Sequence, residues 1–464
     1  MEELPPLDPQ AEALLSYPGK TSVERILSVK PAEPLEIWRG TPLSETCFNR
    51  LYYGDNLGIL AGLMSDQEVK GRVKLIYIDP PFATNSVFQS RCQSDAYDDL
   101  LAGAPYVEFL RRRLVLLREL LAEDGSIYVH LDQKMAFHIK VIMDEIFGSQ
   151  NFRNWITRKK CNPKNYTRKA YGNVSDYILF YTKSDSYCWN RAYDQWTLER
   201  AAKEYEYTEQ GTGRRYKKVP VHAPGIRNGK TGEPWRGIMP PPGKHWQYTP
   251  EKLDEFDANG EIYWSPNGNP RRKVYLDKSE GVPVQDIWIE FRDAHNQMIE
   301  ITGYPTEKNP GILARIIRAS SNEGDLVLDC FAGSGTTLSV SSQLDRRWIG
   351  IDNSPEAMRH IFRRFATGTE RMGDFVTPRV EITDESFREL ELPLFRPEPE
   401  ALAGDEQKSQ CMLIKNFSFS AEKDRVSEIR PLLNEWIKEP IKNKEGDLAQ
   451  PGAPGNVRKS RARP

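Results

Sequence analysis

Apolar runs rich in β-branched and aromatic residues alternate with stretches of helical period at both ends of this chain. That alternation confines it to an α/β fold built on a doubly wound sheet. The segments 73–78 (VKLIYI), 126–131 (SIYVHL), 175–183 (SDYILFYTK), 325–331 (DLVLDCF) and 347–352 (RWIGID) read as buried strands. Between them, 106–121 carries apolar residues at 109, 110, 114, 117, 120 and 121, the spacing of an amphipathic helix. Helices are also expected over 134–147, 311–320, 338–344 and 355–365, and at the end of 48–63. No internal repeat is present.

The alternation is interrupted. Residues 1–44 are rich in Pro and Glu and read as a peripheral extension. Residues 45–184 form one α/β half and 301–395 the other. Between them, 185–300 is dominated by Gly, Pro, Trp and Arg, so short strands and turns of an inserted module are expected there. Residues 396–464 lose the pattern, apart from a helix expected at 424–438, and end in a basic segment with the composition of a disordered tail.

Composition excludes several classes. No apolar run approaches the ~18–20 residues that span a bilayer. The acidic, Pro-rich start is unlike a signal or transit peptide. Six cysteines (47, 92, 161, 188, 330 and 411) are scattered without a C-x-x-C pair, which suits a reducing cytoplasm and argues against a zinc site or a disulfide framework. None of the six histidines has ligand-like or triad-like spacing, so no metal is expected.

The net charge is only −2, but positive charge is clustered. From Phe152 to Val174 there are seven Lys or Arg and no acidic residue, with Trp155, Tyr166 and Tyr171 interleaved. Arg214, Arg215, Lys217 and Lys218 form a second group, and Arg271, Arg272 and Lys273 a third. Any one run read alone is a solvated surface face. Together they nominate Arg158, Lys159, Lys160, Lys164, Arg215, Arg271 and Arg272 as contacts to nucleic-acid phosphates.

Two short stretches carry chemistry. The strand 73–78 stops at Asp79-Pro80-Pro81-Phe82, where two prolines remove two backbone donors and force the chain out of the sheet. A carboxylate, a stiff carbonyl and an aromatic ring are left at the carboxyl edge, where open α/β sheets place ligands. The second stretch, Asp329-Cys330-Phe331-Ala332-Gly333-Ser334-Gly335-Thr336, is a strand followed by a small-residue loop and a helix. Its glycines permit close backbone approach, yet it lacks the P-loop lysine and the full dinucleotide fingerprint. About twenty residues on, Asp352 can accept both hydroxyls of a ribose. A glycine loop and a ribose-binding acid without phosphate chemistry suit a nucleoside carrying an amino-acid carboxylate, as S-adenosyl-L-methionine does.

The pair D-P-P-F and D-x-F-x-G-x-G-T resembles the amino-methylating DNA methyltransferases, from about 52 to 366. The first motif precedes the second by 250 residues, from Asp79 to Asp329, with the irregular module between them. This order resembles the β class, a circularly permuted Rossmann-like fold that includes modification subunits of type III restriction systems. The resemblance implies that Asp79, Pro80, Pro81 and Phe82 are catalytic. It also implies that Asp55, Thr306, Lys308, Asp329, Phe331, Gly333, Ser334, Gly335, Thr336 and Asp352 bind S-adenosyl-L-methionine. Residues 185–300 would be the target-recognition domain.

Three positions depart from the family pattern: Cys330 and Asn309 stand where prolines are usual, and Ala83 where Asn is frequent. The expected activity is adenine-N6 methylation of a flipped base in double-stranded DNA, in restriction–modification or phage defence. Cytosine-N4 methylation and a non-catalytic DNA-binding specificity subunit remain the alternatives. A homodimer and a restriction or defence partner are further expectations from the family.

Overall fold

The computed structural model describes residues 13–40, 49–81, 87–89, 95–98, 103–161, 169–291, 300–301, 307–367, 370–371 and 416–438. They divide into two compact units: one built from residues 1–190, 285–376 and 401–464, the other around 191–284.

The first unit is organised on a ten-stranded sheet. In spatial order its strands are Leu35–Arg39, Phe417–Ala421, Asn49–Tyr53, Arg347–Asp352, Leu326–Asp329, Val73–Ile78, Leu121–Leu131, Ser175–Thr182, Phe152–Lys159 and Ile287–Trp288. The six from Phe417–Ala421 to Leu121–Leu131 are mutually parallel, and Ser175–Thr182 runs antiparallel to both of its neighbours. The central strands are apolar on both faces because helices cover both. Along Arg347–Asp352, Trp348 packs into one core cluster while Ile349 and Ile351 pack into the other, the alternation a strand imposes.

Helices Asn56–Leu63, Ala104–Leu120 and Ala136–Phe147 contribute to the first cluster, and Pro355–Thr367 and Val426–Lys438 to the second. Helix Pro310–Ser320 starts where Asn309 accepts the Gly311 N–H at 2.9 Å, with a proline at its first position, where no backbone donor is needed.

The two central strands define the site. Val73–Ile78 pairs in parallel with Leu326–Asp329, with Leu75 opposite Val327 and Ile76 opposite Leu328. The chain after Val73–Ile78 leads to Leu121–Leu131 on one side, and the chain after Leu326–Asp329 leads to Arg347–Asp352 on the other. Connections leaving neighbouring parallel strands in opposite directions open a crevice at their carboxyl ends.

Two expectations are corrected. Residues 17–39 are not peripheral: Ile26 is fully buried, Tyr17 donates to Glu108 at 2.7 Å, and Leu35–Arg39 forms an edge of the sheet. Nor is all of 396–464 patternless extension. Phe417–Ala421 is inserted between two strands of the sheet with every residue buried, and Val426–Lys438 covers it. The tail beyond 438 lies outside the described residues.

The second unit carries a four-stranded antiparallel sheet, ordered Tyr207–Thr208, Arg215–Pro220, Pro270–Tyr275 and Ile262–Trp264. Its small core gathers Val221, Trp235, Trp246, Leu253, Phe256 and Ile262. The indole N–H groups are satisfied internally, Trp235 by Asp254, Trp246 by the Glu233 carbonyl and Trp264 by Asp257, so these rings build the module. Its edges are 191 and 284 because Asn190 donates its backbone N–H to Ala319, and Ile287–Trp288 pairs with Phe152–Lys159, both within the first unit.

Replacing Phe419, which is fully buried, by alanine is expected to cost ~3–5 kcal/mol, read as a lower denaturant midpoint. An unchanged midpoint would mean that Phe417–Ala421 is not part of the sheet.

Candidate active site

Four carboxylates stand at the carboxyl ends of four neighbouring parallel strands: Asp55 after Asn49–Tyr53, Asp352 and Asp329 ending their own strands, and Asp79 after Val73–Ile78. Each is neutralised differently. Asp55 caps helix Asn56–Leu63 by accepting the Leu57 N–H, and pairs with Arg113 at 2.9 Å. Arg113 also donates to Asn56 Oδ1, and Asn56 in turn donates to the Cys330 carbonyl at 2.7 Å. This chain ties the ends of two strands together.

Asp352 accepts the Gly333 N–H on one oxygen at 2.8 Å and the Ser354 N–H on the other at 2.9 Å. Burial pushes its carboxyl up, against the pull of these donors. Asp329 is 2% exposed and accepts the Phe331 N–H at 3.0 Å and the Thr337 hydroxyl at 2.6 Å. Burial pushes it up to about 7, with the charges of Asp79 and Asp352 adding in the same direction. It therefore shapes the loop from beneath.

Asp79 has Lys308 Nζ 2.6 Å from its Oδ2. Its other oxygen, Oδ1, is buried and has no hydrogen-bond partner among the described residues. A buried acceptor without a partner calls for an explanation, and a bound ligand is one.

Asp79, Asp329 and Asp352 share one cleft of about 960 Å³, counting its open mouth; Asp55 is not among its lining residues. Asp79, Pro80, Pro81, Lys308, Asp329, Phe331, Gly333, Ser334, Thr336 and Asp352 all line it. Gly335 is left-handed (φ 74°), and a Cβ there would meet Ile361 at 2.9 Å, so the turn into helix Thr336–Gln343 requires glycine. Phe82 and Thr306 lie outside the described residues.

The residues 73–363 match the family model of the N6/N4 DNA methylases. The chain belongs to that family. It is 48% identical over 393 residues to the type II methyltransferase M.EcaI of Enterobacter cloacae, covering 84% of each chain. It is 28% identical over 332 residues to the Mod subunit of the StyLTI type III restriction-modification enzyme of Salmonella typhimurium, covering 62% of this chain and 49% of that one. A DNA modification methylase from Thermus thermophilus, solved with S-adenosyl-L-methionine, aligns with 71% of this chain and 99% of its own at 17% identity and a TM-score of 0.35.

The protein is thus a DNA methyltransferase, and the cleft fits S-adenosyl-L-methionine as its cofactor. Asp352 keeps lone pairs for hydroxyls after accepting two backbone donors, and the glycine turn leaves no Cβ in the way.

Sequence reasoning missed Asn56, Phe109, Arg113, Glu307 and Arg364. Arg113 had one readable signal: it lies within the buried stripe of Leu110, Leu114 and Leu117, where an arginine needs a partner. Buried Arg364 donates to the Ser334 carbonyl at 2.8 Å and to Thr336 Oγ1 at 3.2 Å, and pairs with Glu307; nothing in sequence links those positions.

Arg158 is a correction. It is fully buried, with Nη1 donating to Asp176 at 2.9 Å and Nε to the Phe291 carbonyl at 3.0 Å, so no phosphate reaches it. Asp176 also lies 3.1 Å from His130 Nε2, and His130 Nδ1 is 2.8 Å from the Tyr77 hydroxyl. The basic run thus reads differently by residue, because alternate positions of a strand face opposite ways. Lys159 and Lys160 are half-buried, and Lys164 lies outside the described residues. In the second unit Arg271 is exposed and Arg215 half-buried. Arg272 is held by the Tyr248 hydroxyl at 3.1 Å and lies over the Phe256 ring.

The raised pKa of Asp329 makes a pH prediction. Between its ordinary value near 4 and about 7, the unfolded chain has released this proton while the folded chain keeps it. Its contribution to stability therefore falls as pH rises through that window and is level above it. Asp329→Asn is expected to flatten this fall, measured as urea midpoints from about pH 4 to about pH 7.

Proposed function

We propose that this methyltransferase modifies the N6 amine of adenine in double-stranded DNA. The observation that carries the reading is the Asp79 carboxylate, one oxygen held by Lys308 and the other without a hydrogen-bond partner, in the same cleft as the glycine turn and Asp352. An exocyclic amine is a poor nucleophile because its lone pair is delocalised into the ring. Asp79 and the Pro80 carbonyl are acceptors for its two hydrogens, and accepting both favours a more pyramidal nitrogen. The two prolines fix the backbone that holds these acceptors. Phe82 is assigned to stacking on the base.

When bound, S-adenosyl-L-methionine supplies an electrophilic methyl group on a sulfonium sulfur. Asp352 would hold its ribose, and the turn from Phe331 to Thr336 would enclose the rest. The residues of the cleft restrict the amine to one approach, and such positioning is worth several kcal/mol of the barrier. The extra proton on the methylated nitrogen is assigned to the Asp79 carboxylate, the one ionisable acceptor of the D-P-P-F segment. A base inside a duplex cannot reach a sheet edge, so the target nucleotide must be flipped out.

The aspartate at the first position of D-P-P-F favours adenine over cytosine. Similarity to a type II methyltransferase over 84% of each chain favours a role in restriction–modification, with cleavage left to a separate nuclease. Residues 191–284 are assigned to target recognition, with Lys159, Lys160, Arg215 and Arg271 as phosphate contacts.

The deciding experiment incubates the protein with cofactor and unmethylated genomic DNA, then identifies modified nucleosides by mass spectrometry. N6-methyladenine is expected, and its loss in Asp79→Ala. N4-methylcytosine would overturn the base assignment, and full activity of Asp79→Ala would overturn the mechanism. Arg271→Ala is expected to weaken DNA binding alike across sequences and to reduce the slope of log K against log salt by about 1.

A further inference from the structure

The adjacent residues Glu307 and Lys308 engage opposite halves of the cleft. Lys308, 8% exposed, reaches Asp79 after the strand Val73–Ile78. Glu307, 5% exposed, pairs with Arg364, which holds the Ser334 carbonyl and the Thr336 hydroxyl of the glycine turn. The next residue, Asn309, caps helix Pro310–Ser320. The dipeptide is thereby anchored at its carboxyl end, bonded to Asp79 directly and to the glycine turn through Arg364.

An aspartate carboxylate turns readily about its last torsion, whose energy profile is broad. Unless one oxygen is fixed, the other has no set direction. Lys308 fixes Oδ2 and supplies the counter-charge for this half-buried anion. Oδ1 is the oxygen without a hydrogen-bond partner.

We propose that Lys308 is a positioning residue for methyl transfer: its ammonium pins one oxygen of Asp79 so that the other is presented to the amine of the target base. Glu307 and Arg364 hold that ammonium in register with the glycine turn. The inference rests on reading Asp79 as the amine acceptor, and it gives Lys308 a role separate from binding the cofactor.

The test measures single-turnover methylation of unmethylated genomic DNA by the full chain at saturating cofactor, beside cofactor affinity by calorimetry. Lys308→Met is expected to lower the rate constant about 100-fold, the scale of a small misplacement of a reacting group. The cofactor Kd should stay within about threefold, well below 1.4 kcal/mol. Lys308→Arg, which restores the charge, should recover much of the rate. If Lys308→Met does not fold, Lys308→Gln, which keeps a polar stem without charge, carries the same expectation.

An unchanged rate would overturn the proposal, as would a loss accounted for by weaker cofactor binding. A faster rate would also overturn it, making Lys308 a competitor of the amine. Asp79→Ala run in parallel separates the two levels. If Asp79→Ala is active, the mechanism itself fails; if it is inactive while Lys308→Met is fully active, only the role of Lys308 fails.

Discussion

The site depends on the parallel pairing of Val73–Ile78 with Leu326–Asp329. These strands are 250 residues apart from Asp79 to Asp329, with a separate compact unit emerging between them, yet they are hydrogen-bonded neighbours. A register of Leu75 on Val327 and Ile76 on Leu328 sets both strand ends at one level. A one-residue slip would turn every side chain of one strand to the other face. Because both strands are buried on both faces, such a slip would be strongly resisted. The long intervening chain adds little opposition, since the entropy of closing a loop grows only slowly with its length.

Placing four carboxylates along one sheet edge creates an electrostatic problem, and the fold resolves it four ways. Asp79 has an ammonium, Asp55 a guanidinium, and Asp352 two backbone N–H groups, while Asp329 is pushed by burial toward its neutral form. Asp79 and Asp352 both line the cleft and keep acceptor capacity beyond these partners. The partners come from distant elements: Lys308 precedes one helix and Arg113 lies within another. The cleft is therefore a product of the whole first unit.

Much of this was legible in sequence because the signals are local. A continuous apolar run is a buried strand wherever it occurs, two prolines end one by covalent geometry, and a left-handed turn needs glycine. Strands at 73–78, 175–183 and 347–352 and the helix near 106–121 follow from period alone. Phe417–Ala421 did not, because an alternation of Phe and Ser over only five residues does not stand out from the patternless stretch 396–464, whereas the structure buries serines and phenylalanines alike between two strands. Arg158 was misplaced for a similar reason: in a basic run, nothing local tells which side chain faces Asp176 across an antiparallel neighbour.

The sequence by itself determined the chemical repertoire: the acid and stiff carbonyl of D-P-P-F, the glycine turn, the acid that ends the strand 347–352, and the alternation that demands an α/β sheet. Only the tertiary structure decided which charges meet. Lys308 with Asp79, Arg113 with Asp55, and Arg364 with the glycine turn are contacts between residues dozens to hundreds of positions apart. Covalent geometry and periodicity act over a few residues and can be read along the chain. Pairing of buried charges acts through space, and it exists only once the sheet has brought the strand ends to a common edge.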